Sequence, residues 1–181
     1  LYDNGQGVNQ DYQKAMEWYQ KAAARNDICA QYRIGQLYDK GQGVNQDYQK
    51  AMEWYQKASD NGYSDATCAL AYCYNNGHGV SKNYDKSLEL YNKAAEAGNK
   101  LGFANLGWHY RYGNGVKQDY SVALEWYLKA AEQGNAYSQR NIGDLYYNGY
   151  GVSRDLQKAK EWYQKAADNG DSIAKQALKN F

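Results

Sequence analysis

The sequence predicts an all-α solenoid: antiparallel helix pairs stacked in repeats of 36 residues. Three observations carry that expectation. Leu1-Tyr2-Asp3-Asn4-Gly5-Gln6-Gly7-Val8 returns as Leu37-Tyr38-Asp39-Lys40-Gly41-Gln42-Gly43-Val44, and looser copies follow at Tyr74, Tyr110 and Tyr146. A fixed period of this length marks a stacked array, in which each unit contacts only its neighbours. Apolar residues recur at helical spacing within every unit. Helix start and stop signals fall at the same place each time.

The second helix of each unit is the clearest. Asp11, Asp47, Asn83, Asp119 and Asp155 hold one position just before the apolar stripe. Their side-chain oxygens suit an N-cap, where they accept an orphan backbone N–H. Tyr12, Ala15, Met16, Tyr19, Ala22 and Ala23 then follow at i, i+3, i+4, i+7, i+10 and i+11, one face of a helix. Trp18, Trp54, Trp126 and Trp162 add a bulky column, in which the third unit has Leu90. Gly62, Gly98, Gly134 and Gly170 end these helices, with Asn26 in the first unit. Gly and Asn are the residues that tolerate the left-handed C′ conformation, so a positive φ is expected there.

The first helices repeat Ala30, Ile34, Gly35, Leu37 and Tyr38. Glycine inside a helix costs about 1 kcal/mol against alanine. Its recurrence at Gly35, Gly107 and Gly143, with Ala71 between, predicts a close approach of two helix backbones. The expected organisation is a single repeat domain, 1–181, with units 1–36, 37–72, 73–108, 109–144 and 145–171 and a capping helix at 172–181. The cap carries Lys179 at the glycine position, which suits an end with no further helix. Leu1–Gly5 reads as the tail of a first helix. The first 22 residues of units one and two differ only at Asn4 against Lys40, which points to a recent duplication and to further units upstream.

Composition bounds the function. Lys plus Arg is 21 and Asp plus Glu is 20, a net charge of +1, which gives no support for nucleic acid as partner. No stretch approaches the ~18 apolar residues of a membrane span. The 21 tyrosines supply apolar area whose hydroxyl tolerates water, as thin two-sided layers need. Cys29, Cys68 and Cys73 have no spacing repeated in every unit, so no disulfide framework is expected. No targeting signal is visible, and no compartment is assigned.

With the motif laid out, the chain resembles the Sel-one-like repeat family, relatives of the tetratricopeptide repeats. The likeness rests on Ala66, Leu70-Ala71, Tyr74, Gly77-His78-Gly79-Val80, Asn83-Tyr84, Lys86, Tyr91, Lys93-Ala94-Ala95 and Gly98, and on their copies. The fifth unit repeats it as Leu145-Tyr146, Gly149-Tyr150-Gly151-Val152, Asp155, Lys158-Ala159, Trp162-Tyr163, Lys165-Ala166-Ala167 and Gly170. The resemblance implies a right-handed superhelix and a role as adaptor in assembling complexes. One secreted branch of the family carries a disulfide in each unit, a pattern this chain lacks.

Candidate chemistry is sparse. Gly41-Gln42-Gly43 and its copies contain G-x-G, but a dinucleotide fingerprint needs a strand before it and a third glycine opening a helix. A structural turn is expected instead. His78 is expected to be a solvated loop side chain and His109 a packed one, since a zinc site needs three or four ligands close together. Glu17, Glu53, Glu89, Glu125 and Glu161 stand four residues before Lys21, Lys57, Lys93, Lys129 and Lys165, which predicts solvated i, i+4 ion pairs. No catalytic constellation, cofactor motif or metal cluster is read, so the chain is expected not to be an enzyme.

The units differ most on one face of the first helices, opposite the repeating residues. A face needed for stacking would repeat. The resemblance places this face on the concave groove of the superhelix. The candidate partner-binding residues are Tyr32, Arg33, Gln36, Tyr72 and Asn76, then Asn105, Trp108, Arg111 and Tyr112, and finally Arg140, Asp144 and Tyr147. Trp108, the one tryptophan outside the repeating column, is the sharpest candidate, because binding hot spots favour Trp, Tyr and Arg. The expected function is a scaffold that holds a peptide or protein partner. A glycan- or peptidoglycan-binding module is the alternative, since aromatic and Asn side chains also suit sugars. A cell-wall-related hydrolase is the weaker one.

Overall fold

The computed structural model describes residues 2 and 10–181. Among these residues there are ten α-helices, a terminal 3-10 turn and no strand. The all-α repeat architecture read from the period is the one found. The expected helical tail at Leu1–Gly5 lies outside the described residues, apart from Tyr2.

The chain divides into two compact units, Leu1–Leu90 and Tyr91–Phe181. The first holds α1 (Tyr12–Ala23), α2 (Ile28–Lys40), α3 (Tyr48–Asp60), α4 (Ser64–Asn76) and the start of α5 (Tyr84–Glu96). Within it α2 packs on both α1 and α3, and α3 packs on α4. The second holds the rest of α5, then α6 (Lys100–Tyr112), α7 (Tyr120–Glu132), α8 (Ala136–Asn148), α9 (Leu156–Asp168) and α10 (Ser172–Ala177). Here α6 packs on α7, α7 on α8, α8 on α9 and α9 on α10.

The caps work as their residue types require. Asp11, Asp47, Asn83 and Asp155 accept from the backbone N–H three residues on, at 2.9 to 3.0 Å. Asp27, Asn99, Asn135 and Asp171 do the same for α2, α6, α8 and α10. Such a cap contributes about 1 kcal/mol. Asn26 is the one described non-glycine residue with positive φ, at 61°, as its place among the C′ glycines predicts.

The core consists of the repeating small and aromatic residues. Ala15, Met16, Ala30, Ile34 and Leu37 are buried in the first unit; Ala123, Tyr127, Ile142 and Leu145 are buried in the second. Gly35, Gly107 and Gly143 answer first to a tyrosine ring, and at Gly35 also to backbone, the Ala51 carbonyl oxygen lying 3.2 Å from where a Cβ would stand. A Cβ on Gly35 would lie 2.5 Å from the Tyr55 ring, on Gly107 2.6 Å from Tyr127, and on Gly143 2.7 Å from Tyr163. Backbone comes closest at Gly102, where a Cβ would meet the Ala95 nitrogen at 2.8 Å.

The G-x-G turns are structural, as expected, and each glycine has its own job. Gly41, Gly77, Gly113 and Gly149 are left-handed helix ends. Gly43, Gly79 and Gly151 lie against the start of a second helix one repeat earlier, where a Cβ would come within 2.6 to 2.9 Å of Tyr12, Tyr48 and Tyr120 or their neighbours. Gln46 and Gln118 lock two of these turns. The Gln46 amide donates to the Asp39 carbonyl at 2.7 Å and to the Tyr48 hydroxyl at 3.0 Å. Gln118 makes the same pair with Arg111 and Tyr120.

Three expectations are corrected. Each lysine of the supposed i, i+4 ion pairs in the Trp-bearing units sits over the tryptophan: Lys21, Lys57, Lys129 and Lys165 lie 4.2 to 4.7 Å from the ring centroids of Trp18, Trp54, Trp126 and Trp162. A tryptophan ring face competes well with an exposed carboxylate. His78 is not a solvated side chain. It stacks on Tyr48 at 4.3 Å and meets the edge of Tyr72, with Nδ1 buried. The capping helix is shorter than 172–181, because α10 stops at Ala177 and the chain tightens into a 3-10 turn over Leu178–Asn180, which carries the exposed Lys179. None of the three cysteines is in a disulfide; Cys68 and Cys73 are buried and Cys29 is exposed.

Candidate interaction surface

In the first unit the candidate residues lie on α2 and α4. Arg33 Nη1 donates to Gln36 Oε1 at 2.9 Å, and Gln36 Nε2 donates to the Tyr32 hydroxyl at 3.0 Å. Tyr32 is half-buried, its ring 5.6 Å from that of Tyr55 and 5.1 Å from that of Tyr63. Burial pushes its phenol up to about 12, with the nearby Asp65 carboxylate acting in the same direction. Tyr72 stands out from α4 with half its area exposed. Asn76 turns its amide N–H back to the Tyr72 carbonyl at 2.9 Å, which leaves its oxygen facing away from the helix.

In the second unit α6 carries Asn105, Trp108, Arg111 and Tyr112. Asn105 bonds back to the Leu101 carbonyl at 2.8 Å. Trp108 is half-buried, edge-on to His109 at 5.2 Å and tilted against Tyr112 at 5.6 Å. His109 is wholly buried and packed, as the sequence suggests. Its Nδ1 lies 2.7 Å from the Asn114 carbonyl, so it holds the proton and donates. Burial lowers the pKa, which keeps the ring neutral.

Arg111, Arg140 and Asp144 are brought together, but to one another. Arg111 Nη1 donates to Asp144 Oδ2 at 3.1 Å and to Asn141 Oδ1. Arg140 Nη1 reaches the same Asp144 oxygen at 3.6 Å, and its Nε donates to Asp171 at 3.1 Å. Tyr163 donates its hydroxyl to Asp144 Oδ1 at 2.8 Å. Burial works against the charge of Arg111; the Asp144 carboxylate and nearby phenols outweigh it, and the pKa is raised. Asp171 and Tyr163 are the members that sequence reasoning did not select. Their signal was the separation of partners by about one period: Arg111 to Asp144, and Arg140 to Asp171.

What this network leaves outward is aromatic. Tyr112, Tyr137 and Tyr147 are each 39 to 53% exposed. The guanidinium of Arg111 lies 5.5 Å from the ring centre of Tyr112, that of Arg140 5.2 Å from Tyr137, and that of Arg154 5.8 Å from Tyr147. Phe181 closes against Tyr147 and Tyr163 at 5.8 Å. Each arginine thus props a tyrosine in a fixed pose, which lowers the entropy that a partner would have to remove. No helix of the described residues is long and apolar enough to cross a membrane.

The Sel1 repeat model matches residues 1–27, 30–63, 64–99, 104–135 and 136–171. Among solved structures, a Sel1 repeat protein from Oxalobacter formigenes is 39% identical, with a TM-score of 0.89 over 96% of this chain and 71% of its own. A protective antigen of uropathogenic Escherichia coli strains is 36% identical with a TM-score of 0.85. That match covers 98% of this chain and 38% of the antigen. An immunity protein from Pseudomonas aeruginosa is 25% identical, with a TM-score of 0.69 over 92% of this chain and 62% of its own. No match is found among curated proteins. Five matched repeats, set on the helices and turns described above, make this chain a member of the Sel1 repeat family, whose proteins are generally protein-interaction scaffolds.

Proposed function

We propose that the chain is a non-enzymatic scaffold that binds a peptide or protein partner on the non-repeating face of its first helices. The observation that carries this reading lies in the second unit, where exposed Tyr112, Tyr137 and Tyr147 stand on the first helices and each is backed by an arginine. Rigid tyrosines supply contact area at low entropic cost, and they are enriched at binding hot spots. Trp108 supports Tyr112 from beside it. The Asn76, Asn105 and Asn148 amides each spend one N–H on their own helix. Their oxygens remain as acceptors, which suits the N–H groups of a peptide backbone. The same groups could serve a sugar, and the general role of Sel1 repeat proteins as protein-interaction scaffolds ranks the glycan reading second.

The test is binding of a partner first identified by affinity capture and then purified. Tyr112→Ala and Trp108→Ala should each weaken binding by about tenfold or more, the cost of a hot-spot residue. Helical circular dichroism and melting should stay within a few degrees of the wild type. Unchanged affinity in both variants, with the fold intact, would refute the assignment of this face.

A further inference from the structure

The tryptophan column has a gap, and the surface is open where the gap falls. Trp54 packs on the cluster of Met16, Ile34 and Leu37, together with Val44, in the first unit. Trp162, at the equivalent position in the second, packs on the cluster of Ile142 and Leu145, against which Leu124 also packs. The third repeat has Leu90 there instead. Shifting Met16, Ile34 and Val44 forward by one period of 36 gives Met52, Leu70 and Val80, the surface that a tryptophan at position 90 would cover. These three side chains form the floor of an open pocket of about 530 Å³, rimmed by Glu53 and Gln56. Leu90 is 8% exposed and stays inside. A leucine satisfies the core below but is too short and narrow to reach across as an indole does. Ligand pockets commonly span about 300–1,000 Å³, with an apolar floor and a few polar groups at the edge. A second, more polar groove of about 630 Å³ adjoins it past Gly79, lined by Tyr48, Gly77 and Ser81.

We propose that this pocket is an anchor site for a tryptophan side chain of a partner peptide, which supplies in trans the indole that the third repeat lacks. The peptide backbone continues into the adjoining polar groove. The occupant is argued from the protein itself, since the same floor two places along the chain is covered by an indole. The site is built on α3, α4 and the turn after α4, and it shares no residue with the proposed partner face. Its failure would leave the scaffold reading standing, and the reverse holds too.

The chain has two methionines, which makes the test direct. Met52 lies on the pocket floor, whereas Met16 lies under Trp54 and serves as an internal control. Titration of the full chain with N-acetyl-tryptophanamide, followed through the two labelled methionine methyl signals, should move Met52 saturably and leave Met16 fixed. N-acetyl-leucinamide should move neither. Leu90→Trp should shift the Met52 signal in the free protein and weaken the probe by about tenfold or more. If Leu90→Trp does not fold, Gln56→Trp at the exposed rim should cover the mouth and have the same effect on the probe. An unmoved Met52 signal, equal responses to the two probes, or full binding by a folded filled-pocket variant would each overturn the assignment.

Discussion

Asp144→Ala tests whether the arginine–aspartate network is structure rather than surface decoration. The carboxylate takes Arg111 at 3.1 Å and Arg140 at 3.6 Å through one oxygen, and the Tyr163 hydroxyl at 2.8 Å through the other. The side chains are 13% exposed for Arg111, 17% for Arg140 and 24% for Asp144. Breaking a fully buried pair costs about 3–5 kcal/mol, and a buried hydroxyl left without its acceptor costs about 1–3 kcal/mol. Partial exposure reduces the first figure, and Arg140 keeps Asp171. We therefore expect a loss of about 2–4 kcal/mol. For a chain of this size that is a fall in Tm of roughly 5–15 °C. Repeat arrays need not unfold in one step, so urea unfolding should be paired with hydrogen exchange in α8 and α9. A cycle of Arg111→Met and Asp144→Leu should return a coupling of about 1–3 kcal/mol, because the apolar pair restores what each single change strands. A loss below about 0.5 kcal/mol for Asp144→Ala is the value for an exposed ion pair, and it would refute the reasoning.

Two other outcomes follow from the geometry. Gly62→Ala meets nothing within 4 Å and carries only its φ of +85°, so it should cost about 1–2 kcal/mol in a urea titration. Gly79→Ala adds a Cβ 2.9 Å from the Tyr48 backbone at φ +75° and should cost about 3 kcal/mol or more; equal costs would show that the turn is not a packing contact between repeats. Cys29 should react with a thiol reagent in the native chain, while Cys68 and Cys73 should react only on unfolding. Burial pushes both thiols up to about 12, helped by Asp65 and Asp39 respectively. Folding thus favours the neutral thiols. Their contribution is complete below about pH 9, where the unfolded thiols begin to ionise, and it is lost as pH rises toward 12. A Cys68→Ala, Cys73→Ala chain should show a shallower alkaline fall in urea midpoint, and an unchanged slope would contradict the burial argument.

The helices were legible because one period displays each signal five times. Asp47 as cap, Gly62 as stop and Ala51–Tyr55 as buried stripe are local consequences of backbone geometry, so a repeated residue names its own role. The choice between partners was not legible. The Glu–Lys spacing at Glu53 and Lys57 is real, yet the ammonium goes to Trp54, which stands three residues before it on the helix and offers a competing partner that the i, i+4 count ignores. The glycine at Gly107 advertised a close approach without saying to what; the answer, Tyr127, sits on the following helix. At the candidate face, the exposed Tyr72, Tyr112 and Tyr147 match the projection, because non-repeating helix positions are those that stacking does not claim. Arg111 and Arg140 looked outward on the same projection and are held by Asp144 and Asp171, since a helical wheel contains no information about the neighbouring helix.

That pairing changes what the face in the second unit can select. Two arginines and two aspartates cancel there, and the arginines are spent further on propping Tyr112 and Tyr137. A partner meets aromatic area and side-chain acceptors, and Arg111 and Arg140 are already compensated, which leaves Arg154 beside Tyr147 as the one exposed guanidinium among the three. Charge-led recognition weakens steeply with salt, because screening shortens the reach of exposed charges to about 10 Å at 0.1 M and 3 Å at 1 M. Recognition by tyrosine area does not, and salts that strengthen apolar burial can even favour it. Partner affinity should therefore change by less than about threefold between low and near-molar salt, about half a decade on the affinity scale. A fall of two decades over that range would mean that Arg111 and Arg140 leave their aspartates on binding. In that case the network would be a latch opened by the partner, and Asp144→Ala would strengthen binding even as it weakened the fold.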